Sequence, residues 1–167
     1  MAVWTHSTWL FFHWLTYNTQ SNPYFLDFFT SFNILIPCGY CKYHYNSVLE
    51  NKNMGIQKNM EVNNLFNWTI DLHSHINKKN HKKLWSYEEA RNFYKNRSVT
   101  RDEVFDFIRI YHSIAKRRAI VYQNAFITMI HAFVPLIPDK DIQTELQTYL
   151  HKNPLHESNI NEWTLSM

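Results

Sequence analysis

Two cysteines, Cys38 and Cys41, are the residues of this sequence best suited to chemistry, and they form the motif Pro37-Cys38-Gly39-Tyr40-Cys41. Pro37 separates two stretches of helical pattern, so the motif is predicted to lie at the start of a helix. The amide groups and the dipole at a helix N-terminus stabilise a thiolate. A dithiol in this position is suited to thiol–disulfide exchange rather than to a structural role.

The cysteine motif alone leaves three interpretations open. A thioredoxin-like redox motif would need a βαβ context, which this helical sequence does not offer. A zinc site would need two further ligands, and the nearest candidates, His73 and His75, lie about 200° apart around a helix. The chain could therefore be a redox protein of another fold, a zinc-stabilised helical binding module, or a helical interaction protein with an incidental motif.

Pairs of aromatic and polar residues at helical spacing accompany the cysteines. Trp9 and His13 are four residues apart, as are His73 and Asn77, so each pair lies on one helix face. A third face is shared by Cys41, His44 and Tyr45. Aromatic planes, imidazole and amide groups, and a cation for a pyrophosphate are what a flat redox cofactor requires.

Composition limits the classes of protein that fit. The 167 residues suffice for one compact domain, with or without a helical appendage. The only two glycines, Gly39 and Gly55, exclude glycine-rich phosphate loops. Aromatic residues form 17% of the chain, which predicts a packed core or an aromatic-lined pocket. The net charge of +3 and the basic run at 78–83 are weak evidence for nucleic-acid binding, so no nucleic-acid partner is expected.

The longest apolar stretch, 119–137, contains polar residues and a proline, which favours a buried helix over a membrane span. No secretory signal is apparent at the start of the sequence. The expectation is a soluble intracellular protein.

Apolar residues recur at helical spacing along nearly the whole chain. Five helices are predicted in the first hundred residues, at 4–18, 24–36, 39–51, 61–80 and 86–96, with a polar loop at 51–59. The pattern restarts at Thr100 and predicts two apolar helices to Pro135, then an amphipathic helix from Pro138 to about Asn153. The last dozen residues are expected to be frayed.

In this order and spacing, the motifs resemble those of the Erv/ALR sulfhydryl oxidase family, over about residues 4–95. The matching segments are Trp9-Leu10-Phe11-Phe12-His13, the Pro37 to Tyr45 segment, Trp68 with His73-Ser74-His75-Ile76-Asn77, and finally Lys82 and Trp85. Thr5-His6-Ser7-Thr8 stands where the family usually has glycine and arginine, and Ser74 replaces an asparagine. The second shuttle cysteine pair of cellular members is missing, as in the short viral members.

The resemblance implies a four-helix bundle with a short fifth helix around FAD, in an oxidase domain at 1–97. Residues 98–167 lie outside the resemblance, and their own apolar pattern predicts a C-terminal helical extension. The whole fold is therefore expected to be all-α. The resemblance also implies that substrate attacks Cys38 and that Cys41 lies nearer the flavin, with adenine near Trp9, His13, His73 and Trp85. The cofactor-binding residues implied are Trp9, His13, Cys41, His44, Tyr45, His73, His75, Ile76, Asn77, Lys82 and Trp85.

The activity implied is disulfide formation in protein substrates, with electrons passing through FAD to dioxygen to give hydrogen peroxide. Partners would be protein thiols or a small dithiol redox protein, in a homodimer; a viral member would act in the host cytoplasm or nucleus and in the virion. The apolar extension must pack either on its own oxidase core or at a subunit interface. We favour a homodimer in which the extension adds to the packing and holds no catalytic group.

Overall fold

A computed structural model describes residues 3–163 and residue 165 of the protein. In this part of the chain there are nine helices and no strand. The helices are α1 (Val3–Asn18), α2 (Tyr24–Leu35), α3 (Gly39–Leu49), α4 (Ile56–Glu61), α5 (Leu65–Lys79), α6 (Tyr87–Lys95), α7 (Arg101–Ala115), α8 (Ile120–Leu136) and α9 (Lys140–Lys152). The predicted all-α fold is confirmed.

Two of the predicted helix starts are fixed by capping boxes. The Ser86 hydroxyl accepts a hydrogen bond from the amide of Glu89, whose carboxylate accepts one from the Ser86 amide. Thr100 and Glu103 make the same reciprocal pair at the start of α7. Because a capping box satisfies backbone donors that the helix itself leaves unpaired, both starts are set by local sequence.

The loop predicted at 51–59 and the helix predicted at 61–80 are wrong in detail. A short helix, α4, begins at Ile56, and α5 begins only at Leu65. Asn63, at φ 50°, takes the left-handed conformation that ends helices, and it separates the two. A Cβ at Gly55 would overlap the carbonyl oxygens of Leu49 and Asn51, so glycine lets the chain turn closely into α4.

Aromatic side chains from four helices form the centre of the core. Phe12 of α1 meets the rings of Phe29 and Phe32 of α2 edge to face, each at 4.8 Å between centroids. Phe107 of α7 lies 4.4 Å from Phe11 and 5.0 Å from Phe133 of α8. The family-like segment and the C-terminal extension therefore share one hydrophobic core.

The extension covers its own core, with α8 packed along α2. At one end of α8, the Thr19 hydroxyl donates to the Leu136 carbonyl at 3.0 Å. At the other end, the Lys42 ammonium lies 5.3 Å from the centroid of the Tyr122 ring. The two helices are therefore antiparallel. Our preferred interpretation, in which the extension adds to a subunit interface, needs correction because most of its apolar side chains are buried within the chain.

The expectation that the last dozen residues are frayed is also wrong for those that the structure describes. Ile160, Trp163 and Leu165 are buried. Trp163 Nε1 donates to the Asn153 carbonyl at 3.2 Å, and His112 Nε2 donates to the Ile160 carbonyl at 2.7 Å. These apolar residues lie in turns and irregular segments, so they have no helical period that a sequence pattern could reveal.

No helix in the described part of the chain combines the length and the apolar character that crossing a bilayer requires.

Candidate functional site

The two cysteines form a disulfide at the first turn of α3. Cys38 is the N-cap residue, and its sulfur accepts a hydrogen bond from the Cys41 amide at 3.2 Å. The position predicted for the motif at a helix start is confirmed. The two residues have different surroundings, because Cys41 lines a cavity and Cys38 is not part of its wall.

The cavity beside Cys41 lies between α1, α3, α5 and the segment that joins α5 to α6, and its volume is about 500 Å³. Its wall is mostly aromatic and apolar, with polar and basic groups along one side. The lining residues are His6, Thr8, Trp9, Phe12, Ile36, Cys41, Tyr45, His73, Ile76, Asn77, Asn80, Lys82, Lys83 and Trp85.

A stack of flat rings forms one side of the cavity. The Trp9 and His73 rings are nearly parallel, at 7° between planes and 4.0 Å between centroids. The His13 ring lies beside this pair, with its centroid 5.9 Å from Trp9 and 5.2 Å from His73. The i, i+4 pair on α1 and the histidine on α5 thus meet, although 60 residues of sequence separate them.

Hydrogen bonds behind this stack fix the proton positions of both histidines. The Thr69 hydroxyl donates to the Phe66 carbonyl at 2.8 Å, so it accepts from His13 Nδ1 at 3.0 Å. His13 Nε2 then accepts from His73 Nδ1 at 2.9 Å. In a neutral ring only one nitrogen carries hydrogen, so His73 Nε2 is left as a hydrogen-bond acceptor.

Burial keeps both rings neutral. It places the pKa of His13 well below its ordinary value, and the neighbouring His73 lowers that pKa further. The pKa of His73 falls to about 4, mainly through burial and secondly through the positive charge of Lys82. The hydrogen-bonded chain can therefore keep its arrangement at neutral pH.

Asn77 fixes the segment that carries the basic residues. Its side-chain amide donates to the Lys83 carbonyl at 2.9 Å, and its backbone carbonyl accepts from the Lys82 backbone amide at 2.9 Å. Trp85 follows, half-buried at the cavity wall, while Lys82 and Lys83 are exposed. Asn77 therefore positions two cations and an aromatic ring at the cavity.

The structure brings eight of the eleven predicted cofactor residues to the cavity wall: Trp9, Cys41, Tyr45, His73, Ile76, Asn77, Lys82 and Trp85. Only the ring of Tyr45 is available there, because its hydroxyl donates to the Phe29 carbonyl at 2.7 Å. His13 lies behind His73. His44 and His75 lie outside this wall, with their rings 5.9 Å apart.

Six lining residues were not predicted from the sequence to bind the cofactor: His6, Thr8, Phe12, Ile36, Asn80 and Lys83. Thr8 and Phe12 are four residues apart on α1 beside Trp9, a spacing that could have identified them. Ile36, just beyond the end of α2, carried no such signal. Among the described residues, no group of three or more His, Cys, Asp or Glu side chains is placed to hold a metal ion.

Comparison with known proteins agrees with this geometry. Over 88 residues the chain is 31% identical to a protein of Acanthamoeba polyphaga mimivirus named "Probable FAD-linked sulfhydryl oxidase". The alignment covers 49% of this chain and 62% of that protein, so the chain spans less than two thirds of its relative's length. No solved structure shows a significant match.

The family comparison covers all the elements of the site. A model of the Erv1/Alr family matches residues 6–98, which include α2 to α6 and nearly all of α1, and stops just before α7. That is more than half of the 167 residues, and the chain belongs to the Erv1/Alr family.

Proposed function

We propose that this chain is an FAD-dependent thiol oxidase that forms disulfide bonds in protein substrates through Cys38 and Cys41. One observation carries the proposal: of the two disulfide-bonded cysteines, Cys41 lines an aromatic cavity and Cys38 is not part of its wall. A redox pair so placed can exchange electrons with a substrate on one side and with a flat cofactor on the other.

The residues of the cavity fit FAD. The Trp9–His73 stack offers a plane for a ring system, and His73 Nε2 can accept a hydrogen bond from an exocyclic amino group such as that of adenine. Lys82 and Lys83 supply positive charge for a pyrophosphate. FAD held there supplies a two-electron carrier between the dithiol and dioxygen, with hydrogen peroxide as the reduced product.

The chain's own part in the reaction is thiol–disulfide exchange. A substrate thiolate attacks the Cys38 sulfur, the Cys38–Cys41 bond breaks, and Cys41 leaves as a thiolate. A second substrate thiolate attacks the substrate sulfur of this mixed disulfide, which releases oxidised substrate and the Cys38 thiolate. The Cys41 amide, which donates to the Cys38 sulfur, stabilises that charge. The protein pair has then gained two electrons.

The family resemblance supports the remaining parts of the proposal. They are the exchange role of Cys38, an oxidase unit at 1–97, a homodimer, and protein thiols or a small dithiol redox protein as electron donors. The host cytoplasm or nucleus, together with the virion, would be the place of action of a viral member.

The test is an absorption spectrum of the purified protein and of its cysteine variants. Wild-type protein should be yellow and should release FAD on denaturation. Cys38→Ser and Cys41→Ser should each abolish turnover of a dithiol, and a long-wavelength charge-transfer band should appear only where the Cys41 thiolate remains. Colourless protein that also fails to take up added FAD would refute the proposed function. A band in Cys41→Ser instead would reverse the two roles.

A further inference from the structure

The surface beside the disulfide carries large apolar side chains from two separate parts of the chain. On α3, Tyr40 is 53% and Tyr43 71% exposed. On α8, Ile120 is 53% and Val121 47% exposed. Most other apolar side chains of α8 are buried, so the exposure at its first turn is local.

The fold brings the two helices that carry these pairs together. Because α8 is antiparallel to α2, its first turn lies at the end of α2 that leads through Pro37 into the cysteine motif. Lys42, which follows Cys41, joins the elements: its ammonium donates to the Ile34 carbonyl at 2.8 Å and lies over the Tyr122 ring. The extension, which lies beyond the family match, thus borders the redox pair.

Positively charged residues precede the exposed first turn of α8. Lys116, Arg117 and Arg118 are consecutive and exposed in the loop between α7 and α8. The Arg118 guanidinium lies 5.0 Å from the centroid of the Tyr122 ring, so it stays close to α8. The ion pairs among the described residues involve none of these three residues, nor Lys42. The positive charge of these residues is therefore available to a partner.

The chain around Cys38 is open at the start of α3. A Cβ added at Gly39 would meet no atom within 4 Å, and Pro37, Gly39 and Tyr40 are exposed. A polypeptide backbone can therefore approach the disulfide from this side without displacing a side chain of the protein.

From this arrangement we infer that the first turn of α8 and the loop before it form, together with α3, the docking surface for the substrate. We name the surface formed by Tyr40, Tyr43, Lys116, Arg118, Ile120 and Val121 the docking patch. Its occupant is a segment of a substrate polypeptide that has acidic and apolar residues near its cysteine. Complementary charge selects such a segment and speeds its encounter, and the apolar side chains hold it.

This inference rests on the proposed function and adds a substrate class to it. The extension takes no part in the electron transfer; it binds the polypeptide whose thiol attacks Cys38. A small dithiol such as dithiothreitol needs no docking patch and should be oxidised equally well without it.

The test compares three thiols on the full-length, flavin-loaded protein. Two are dithiol peptides of the same sequence, one with aspartates and one with lysines beside the cysteines, and the third is dithiothreitol. The charge-reversal variant is Lys116→Glu with Arg118→Glu. A matched control, Lys52→Glu with Lys58→Glu, makes the same change in net charge beyond the other end of α3.

The wild type should prefer the acidic peptide, and the preference should shrink at high salt because ions screen exposed charges. Charge reversal at the patch should lower kcat/KM for the acidic peptide about tenfold or more and leave dithiothreitol turnover unchanged. The control variant should behave as the wild type. An Ile120→Ser, Val121→Ser variant should weaken both peptides and spare dithiothreitol.

Binding is measured separately by fluorescence anisotropy, with labelled acidic peptide in which serine replaces both cysteines. Weaker binding to the patch variant than to the control variant supports docking, and equal binding overturns it. A parallel loss of dithiothreitol turnover in the patch variant also overturns it, since the substitutions would then act on the redox pair. Wild-type protein that oxidises none of the thiols would refute the proposed function, while anisotropy would still decide the docking patch.

Discussion

The buried pair His13 and His73 should make the stability of this protein fall steeply in mildly acidic solution. In the unfolded chain, a histidine takes up a proton near pH 6.5. In the folded protein, burial and the charge of Lys82 lower the pKa of His73 to about 4. Between these values the unfolded state binds more protons, so the free energy of unfolding decreases as the pH falls.

The size of the effect follows from the difference between the two pKa values of His73. One unit corresponds to about 1.4 kcal/mol, so the full contribution, reached below pH 4, is about 3 kcal/mol. At pH 5 about 2 kcal/mol of it is already lost. This stability is present above pH 6.5. The pKa of Glu89 is also lowered, to about 2. The folded protein therefore protonates this carboxylate below the range from pH 7.5 to pH 5 in which the effect of His73 is measured.

Urea unfolding followed by circular dichroism at pH 7.5 and pH 5.0 measures this contribution, at equal flavin content. A His73→Asn variant has no imidazole to protonate at this position, so its loss of stability between the two pH values should be about 2 kcal/mol smaller than that of the wild type. A His151→Asn variant at an exposed position is the matched control and should behave as the wild type. If His73→Asn loses as much stability as the wild type, the neutral, hydrogen-bonded His73 inferred from the structure is incorrect.

Two further predictions concern the extension. Phe133→Ala should lower the free energy of unfolding by about 3 to 5 kcal/mol, because the ring is fully buried between Phe11, Phe28 and Phe107. A urea titration measures this free energy, and a loss below about 1 kcal/mol would contradict the shared core. A chain ending at Ser98 should fail to give soluble, folded protein because it exposes the face of α2 that α8 covers. A monodisperse, flavin-loaded truncation on gel filtration would show instead that the segment before the extension is stable alone.

Local signals in the sequence were sufficient for most helices and for one side of the site. The i, i+4 pairs and the cysteine motif depend only on helical spacing, and the structure has Trp9, Cys41 and His73 at one cavity. The capping boxes at Ser86 and Thr100 are equally local. By contrast, α4 has one buried side chain, Ile56, in six residues, which is too few for a period.

The contacts between distant parts of the chain could not be predicted from spacing. Apolar residues occupy nearly every side of α8, so its pattern indicated burial without indicating a partner. The alignment of α1 with α5 also depends on the packing of the whole fold. It brings His13 to His73, whereas His75, two residues further along α5, lies outside the cavity wall. Shape and packing of the whole core decide these contacts.

The antiparallel packing of α8 on α2 also determines when the protein can fold during its synthesis. Thr8 contacts Tyr111, and Thr19 contacts Leu136, which is made 117 residues later. At about 5 to 20 residues per second, a ribosome needs roughly 6 to 25 s to bridge that distance. The apolar face of α2 stays uncovered for this time, whereas Cys38 and Cys41, three residues apart, emerge together. Nascent-chain chaperones therefore meet a chain whose cysteine pair is already complete while the helix that completes its core has not yet been made.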